Sequence, residues 1–263
     1  MLSKLFRYEM RYYSPILLFL HGFLLLGALV LFGIRHLPES LPVSVITAVG
    51  SIFCILLAAC TAFYTYLNIG IRFYRTVFSR QGYLTNTLPV SAGQLLLSRF
   101  LTAVLWGILD FLVVLVILCL LSGENIPAIF LSSLGQDPQL TRFFLLILFL
   151  LPASFLLIIT AILCSVAMGN LFTGHRVIGS VVSFFGLQML SQLVSLIPLL
   201  FVLKPLLTLP SGNYGAEEMM NSFPDAFFAL QSMLLAEIFL YLLLAGALYL
   251  LTWHLLDKKL NLE

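Results

Sequence analysis

Charged residues are scarce in this sequence. Asp, Glu, Lys and Arg make up 9% of its 263 residues, whereas hydrophobic residues make up 61%. A soluble domain has about 25% charged residues, so this chain cannot cover a water-exposed surface of its own size. We therefore expect an integral membrane protein. The net charge of +2 gives no reason to expect nucleic acid as a partner.

Motifs for enzyme chemistry are also missing. The sequence has no G-x-x-x-x-G-K-[ST], so ATP is not expected to bind to this chain through a P-loop. It lacks H-E-x-x-H, which would mark a zinc protease, and G-x-S-x-G, which would mark a serine hydrolase. The four histidines are scattered along the chain. We predict that the chain is not an enzyme and itself binds no metal or cofactor.

Cysteines are few, and no C-x-x-C spacing joins them. Each of the four lies within an apolar run: Cys54, Cys60, Cys119 and Cys164. A cysteine in such a run behaves as a small apolar packing residue. The pattern therefore predicts neither a disulfide framework nor a metal site.

Long apolar runs are abundant. Six of them extend over residues of about 14–34, 43–69, 101–121, 142–168, 177–203 and 227–256. Each is long enough for a helix to cross a bilayer, which takes about 20 residues. The runs are continuous and do not alternate as barrel strands do. We predict an all-α polytopic membrane protein with six transmembrane helices, in a single domain over residues 1–263.

Residues 2–13 are amphipathic. Apolar side chains recur at helical spacing, and most of the basic and polar ones fall on the other side. This pattern predicts an interfacial helix that lies on the lipid head groups. Ser14 and Pro15 then fit the N-cap and the first helical position of the first span.

The distribution of Lys and Arg predicts the orientation of the chain. One side of the bundle would hold residues 2–13, the segment 71–100, Arg176 and the C-terminal lysines, which together carry most of the positive charge. The other side would hold only Arg35, Arg142 and Lys204. We therefore expect a multi-pass membrane protein with both termini in the cytoplasm. Residues 204–226 would form an extracellular loop.

The segment 71–100 interrupts the apolar runs and has four arginines but no acidic residue. Ser91 and Gln94 fit a capping box that begins the next helix. A helix is also predicted before this cap. It carries aromatic side chains that could anchor in a partner's pocket and arginines that could make charged contacts at the rim of that pocket. A glycine permits this helix to end. The alternative is a basic interfacial loop with no partner.

Two acidic residues fall inside predicted spans, Asp110 in the third and Glu237 in the sixth. An ionisable group within the bilayer is costly and is a candidate for function. Each could line a transport path or bind a proton. Each could instead form a structural hydrogen bond with a neighbouring helix or subunit.

The segment 71–100 resembles the corresponding part of bacterial ABC-2 type transporter permeases. In many of these, a Phe-Tyr-rich helix precedes Gly-Tyr-Leu-Thr, a Thr-Leu-Pro-Val-Ser turn, and then Gln-Leu-Leu-Leu-Ser with a basic residue. The matching residues here are Arg72-Phe73-Tyr74, Gly82-Tyr83-Leu84-Thr85, Thr87-Leu88-Pro89-Val90-Ser91 and Gln94-Leu95-Leu96-Leu97-Ser98-Arg99.

The resemblance implies the permease subunit of an ATP-driven transporter, usually an exporter, in the cell membrane of a bacterium. Two permease chains, identical or different, would pair, and each would dock on a separate ABC ATPase subunit that binds ATP and Mg²⁺. The segment between spans two and three would be the coupling helix. The residues predicted to couple to the ATPase are Arg72, Phe73, Tyr74, Arg75, Phe78, Gly82, Tyr83 and Leu84.

The composition adds one expectation about the substrate and leaves two other functions open. Apolar walls with few charges favour hydrophobic or amphipathic cargo such as a peptide or lipid. One alternative is an ion- or proton-coupled secondary transporter that uses Asp110 and Glu237. Another is a membrane immunity or scaffold protein that sequesters a peptide without moving it.

Overall fold

The computed structural model describes residues 2–38, 40–79, 82, 90–122, 138–172, 174–207 and 224–258, with the side chains of all of these except 201 and 204–206. The described residues form helices and contain no strand. The helices are α1 (Leu2–Arg35), α2 (Leu41–Val77), α3 (Ala92–Ser122), α4 (Pro138–Gly169), α5 (Arg176–Leu207) and α6 (Pro224–Lys258).

Each of these six helices is long and apolar enough to cross a membrane. Their exposed surfaces are apolar too, since large hydrophobic side chains are exposed on every helix. Such surfaces would be unstable in water and fit contact with lipid tails. The prediction of an all-α polytopic membrane protein is confirmed.

Helix α1 corrects one boundary drawn from the sequence. It continues without interruption through Ser14 and Pro15, so residues 2–13 are its first turns, and the prediction that Ser14 caps a new helix is wrong. Proline cannot donate to the carbonyl of the residue four before it, which here is Arg11. The Ser14 hydroxyl donates to that carbonyl instead, at 3.4 Å.

Helix α2 is also longer than the span predicted from the apolar run. It continues past Ile69 to Val77 and thus includes the first residues of the predicted coupling segment. Helix α3 begins at Ala92, with the Ser91 hydroxyl accepting a hydrogen bond from the backbone N–H of Gln94 at 3.3 Å. The predicted cap at Ser91 is confirmed.

The chain divides into two compact units, whose described helices are α1–α3 and α4–α6. The sequence predicted one permease domain, and whether the units act together as one stays a prediction. In the first unit, α1 buries a single stripe at intervals of three or four residues. Its members are Glu9, Tyr13, Leu17, His21, Leu24 and Ala28.

This stripe packs on α2 and α3 through small and branched side chains. Leu24 and Ala28 of α1 form one cluster with Ala58 of α2 and with Val113 and Ile117 of α3. Small residues such as Ala58 allow helix backbones to approach closely in a membrane. Because the stripe is continuous, Glu9 and His21 occupy interior positions of an otherwise apolar contact.

The second unit is built around α4. Every residue from Ile159 to Ala167 is buried, so this part of α4 is covered on all sides. Near the start of α4, the side-chain amide of Gln231 in α6 donates to the carbonyl of Gln139 at 3.0 Å. The starts of α4 and α6 are therefore neighbours within this unit.

Candidate functional site

The predicted coupling residues at the end of α2 are divided between interior and surface. Arg72, Phe73 and Phe78 are buried, Tyr74 is half-buried and Arg75 is exposed. The rings of Phe73 and Phe78 meet edge to face, with centroids 5.8 Å apart. The two phenylalanines therefore hold the end of α2 inside the first unit, and the side chains left at its surface are Tyr74 and Arg75.

Gly82 packs against the end of α2. Its N–H donates to the carbonyl of Ser79 at 2.7 Å, and a Cβ added to it would lie 2.7 Å from the carbonyl carbon of Val77. The helix has already ended at Val77, with Phe78 as its C-cap. Gly82 is thus needed for close approach and not for ending the helix as expected. Tyr83 and Leu84 lie outside the described residues.

The sequence did not predict the charged cluster that surrounds Arg72. Glu9 of α1, Arg72 of α2 and Arg99 of α3 meet inside the first unit and are exposed by only 2%, 7% and 7%. Arg72 donates from Nε to Glu9 Oε2 and from Nη2 to Glu9 Oε1, both at 3.4 Å. Arg99 Nη1 forms an ion pair with Glu9 Oε1. We call these three residues the Glu9 cluster.

Two tyrosines of α1 cover the Arg72 guanidinium. Its central carbon lies 3.9 Å from the ring centroid of Tyr12 and 5.6 Å from that of Tyr8. A cation within about 6 Å of an aromatic face is attracted by the ring quadrupole. The rings therefore partly offset the loss of water around Arg72.

The Glu9 cluster carries unequal charge, with two guanidinium groups around one carboxylate. The Nε of Arg99 is buried and has no hydrogen-bond partner among the described residues. Buried ion pairs cost desolvation free energy and depend on every partner being present. The carboxylate of Glu9 is thus the group on α1 that pairs with charges of both α2 and α3 at this end of the unit.

Glu9 could have been noticed in the sequence. It is an acidic residue in a segment whose other charges are all basic, and it lies four residues before Tyr13 on the face predicted to be apolar. A carboxylate on an apolar helix face usually has a cationic partner. The identity of that partner depends on how α1 packs against α2 and α3.

Asp110 of α3 belongs to the same unit and pairs with His21 of α1. His21 Nε2 is 2.5 Å from Asp110 Oδ1, and His21 Nδ1 is 2.6 Å from the carbonyl oxygen of Leu17. Asp110 therefore forms the hydrogen bond to a neighbouring helix that was one of its two predicted roles. This contact does not exclude the other.

Trp106 and Tyr66 complete the surroundings of this pair. The Trp106 ring stacks on His21 with centroids 6.3 Å apart, and Tyr66 of α2 interacts electrostatically with Asp110. Within the described residues, Asp110 Oδ2 and Trp106 Nε1 are buried without a hydrogen-bond partner. The site thus holds one acid, one imidazole and an unsatisfied carboxylate oxygen in mostly apolar surroundings.

Glu237 lies in the second unit and is half-buried. Its Oε1 accepts a hydrogen bond from the hydroxyl of Tyr241, one turn further along α6, at 2.7 Å. Asp110 and Glu237 are thus each paired inside their own unit, and a role in transport stays a prediction for both.

A cavity of about 660 Å³ opens at the opposite end of the first unit from the Glu9 cluster. Arg35 lies on its wall and donates to the carbonyl of Leu121 at 2.5 Å. Hydroxyl groups of α2 also line it, and those of Ser44, Thr47 and Ser51 donate to carbonyls of their own helix. No group of three or more His, Cys, Asp and Glu side chains that could hold a metal occurs within the described part of the chain.

No protein-family model, no curated protein and no solved structure matches this chain. Any assignment of function therefore rests on the residues themselves. The most informative are the segment 71–100 and the buried charges around Arg72.

Proposed function

We propose that this chain is the permease subunit of an ATP-driven transporter of the ABC-2 type, which exports a hydrophobic or amphipathic substrate. A second permease chain, identical or different, would complete the pathway. Separate ATPase subunits would bind ATP and Mg²⁺ on the cytoplasmic side. The resemblance of residues 71–100 to the coupling segment of such permeases supports this function.

One structural observation favours the proposal above the other functions. The end of α2, where the predicted coupling segment begins, is tied by the Glu9 cluster to the start of α1 and to the start of α3. A force applied to residues 71–100 would therefore reach three spans together. A loop without a partner has no need for such a connection, which places three charges in the interior at a desolvation cost.

The surface of the coupling segment offers a division of roles. Tyr74 and Arg75 are the residue types that most often dominate binding energy at interfaces, and both retain exposed surface at the end of α2. We assign them the contact with the ATPase. Phe73 and Phe78, which are buried, would keep α2 rigid so that the contact moves the helix and does not bend it.

The proposal is tested by purifying the tagged chain from its native cells in a mild detergent and identifying associated proteins by mass spectrometry. We expect an ABC ATPase in the complex, and substrate transport in reconstituted vesicles that requires ATP and is inhibited by vanadate. Proton-driven, vanadate-insensitive transport by the chain alone would instead support a secondary transporter. Binding of a substrate without its movement would support a scaffold.

Replacing both Tyr74 and Arg75 with Ala is expected to weaken docking of the ATPase by roughly 30-fold. The loss of an interface hot spot costs about 2 kcal/mol, and 1.4 kcal/mol corresponds to a factor of about ten in affinity. Transport should fall with docking, whereas the thermal unfolding temperature of the permease should change little. Affinity is measured by titrating the purified ATPase onto the permease in nanodiscs.

Tyr64→Ala is the matched control, because it removes the same type of side chain from an exposed position of α2 away from the coupling segment. It should leave docking unchanged. Equal docking by the control and by the Tyr74→Ala/Arg75→Ala variant would show that the ATPase binds elsewhere.

A further inference from the structure

We propose that His21 and Asp110 form a proton-binding site between α1 and α3, and that the proton must be present for the two helices to stay in contact there. The inference does not depend on the proposed transporter class. It rests on the two hydrogen bonds of His21, on the surroundings of the pair and on its position between two helices.

The bond from His21 to its own helix determines where one proton lies. Nδ1 is 2.6 Å from the carbonyl oxygen of Leu17, and a carbonyl oxygen can only accept a hydrogen bond. Nδ1 must therefore carry a hydrogen. This leaves Nε2 to face Asp110, since the bond at one ring nitrogen determines the role of the other.

The second contact requires a further proton. Nε2 and Asp110 Oδ1 are 2.5 Å apart. Without a hydrogen between them, the lone pair of Nε2 would point at a carboxylate oxygen at this distance, which is repulsive. One proton must lie between the two atoms, on the imidazole or on the carboxyl group, and in both cases the pair as a whole is neutral.

The surroundings do not supply that proton or replace it. His21 and Asp110 are exposed by only 6% and 8% and lie beside the apolar cluster of Tyr13, Leu17 and Trp106. Tyr66 of α2 is the titratable side chain that interacts with Asp110 from the third helix. A tyrosine hydroxyl is neutral at physiological pH, so it contributes no compensating charge.

The unsatisfied oxygen of Asp110 distinguishes this site from an ordinary structural bond. Most buried carboxylate oxygens in proteins have a hydrogen-bond partner, yet Asp110 Oδ2 has none among the described residues. With that oxygen unpaired, the proton shared with His21 is what balances the charge of the carboxylate in these apolar surroundings. Because His21 lies on α1 and Asp110 on α3, separating the helices would break the contact that holds the proton between them.

Binding is tested by nuclear magnetic resonance of the full chain in lipid nanodiscs, with ¹⁵N label in the histidine rings. The other three histidines, His36, His175 and His254, are exposed, whereas His21 is buried. Replacing each of them with Gln assigns the His21 signals by elimination without touching the pair. We expect both ring nitrogens of His21 to keep their chemical shifts between pH 5 and 9. This range includes the ordinary pKa of a histidine side chain, about 6.5.

The second measurement links the proton to helix contact. In Asp110→Asn the amide can donate to Nε2, so the contact survives without a titratable proton. The wild-type ratio of folded to unfolded protein should fall, by up to about tenfold for each pH unit above about 6.5, because only the folded form keeps that proton. For Asp110→Asn, the ratio of folded to unfolded protein should lack this fall of up to about tenfold per pH unit.

A change in the ring-nitrogen shifts of His21 between pH 5 and 9 would overturn the proposal. So would an equal pH dependence of the wild type and Asp110→Asn. If Asp110→Asn does not fold, His21→Gln serves in its place, since the Gln amide can donate to the carboxylate. If neither variant folds, the wild-type titration of His21 decides the question alone.

Discussion

Replacing Glu9 with Gln is expected to lower the free energy of unfolding by about 3–5 kcal/mol, the cost of removing one partner from a buried ion pair. The substitution keeps the size of the side chain but leaves Arg72 and Arg99 buried together without a counter-charge. The two guanidinium groups would then repel each other in a region of low dielectric. Thermal or denaturant unfolding of the protein in nanodiscs measures the loss.

Substitutions at the three residues of the Glu9 cluster should have unequal effects on the free energy of unfolding. Arg72→Met or Arg99→Met alone leaves one carboxylate and one guanidinium, so each should cost less than Glu9→Gln. Adding Arg99→Met to Glu9→Gln should recover part of the stability, because one of the unpaired charges is then gone. Such a gain from a second substitution is the mark of coupling in a double-mutant cycle.

Arg11→Gln is the control for a charge on the same helix, because Arg11 is exposed. Surface substitutions of this type usually change stability by less than about 0.5 kcal/mol. If Glu9→Gln costs no more than Arg11→Gln, the cluster does not hold the three helices together. The proposed path from the coupling segment to α1 and α3 would then have no support.

The sequence predicted well those features that depend on neighbouring residues. The six helices follow from the length of the apolar runs, because a backbone in lipid must satisfy its hydrogen bonds within one helix. The cap at Ser91 follows from the pair Ser91 and Gln94, which are three residues apart. The link between α4 and α5 was also placed correctly, since α4 ends at Gly169 and α5 begins at Arg176.

The partners of the buried charges could not be predicted in this way. Glu9 and Arg72 are 63 residues apart, and His21 and Asp110 are 89 residues apart. Which residues meet across two helices depends on how far one is shifted and rotated relative to the other. The sequence identified Asp110 as unusual, because the free-energy cost of a carboxylate within the bilayer depends only on its place in an apolar run. Nothing in the sequence sets His21 apart from the other three histidines.

The sequence also does not determine which aromatic residues of the predicted coupling segment are buried. Its aromatic residues predicted an anchor for a partner, because a Phe-Tyr-rich surface helix is a common interface. In the structure, Phe73 and Phe78 lie in the interior and contact each other at the end of α2. An aromatic residue fits both roles equally well, and burial is decided by the helices that pack nearby.

Replacing Gly169 with Ala is expected to destabilise the second unit by about 1–3 kcal/mol, the usual range for overpacking. Gly169 is the last residue of α4 and lies against the start of α5. A Cβ added there would come 2.6 Å from the Cα atom of Ser180, closer than two such atoms can approach. Because the obstacle is backbone, a change of rotamer cannot relieve it, and the α4–α5 pair must separate.

Gly186→Ala makes the same chemical change in α5 where no atom lies within 4 Å of the added carbon. It should leave stability unchanged or raise it by up to about 1 kcal/mol, since Ala is a better helix former than Gly. The two variants therefore separate the close approach of helices from helix propensity. Equal unfolding temperatures for Gly169→Ala and Gly186→Ala would show that α4 and α5 are not in direct backbone contact, and that this end of the second unit can open without cost.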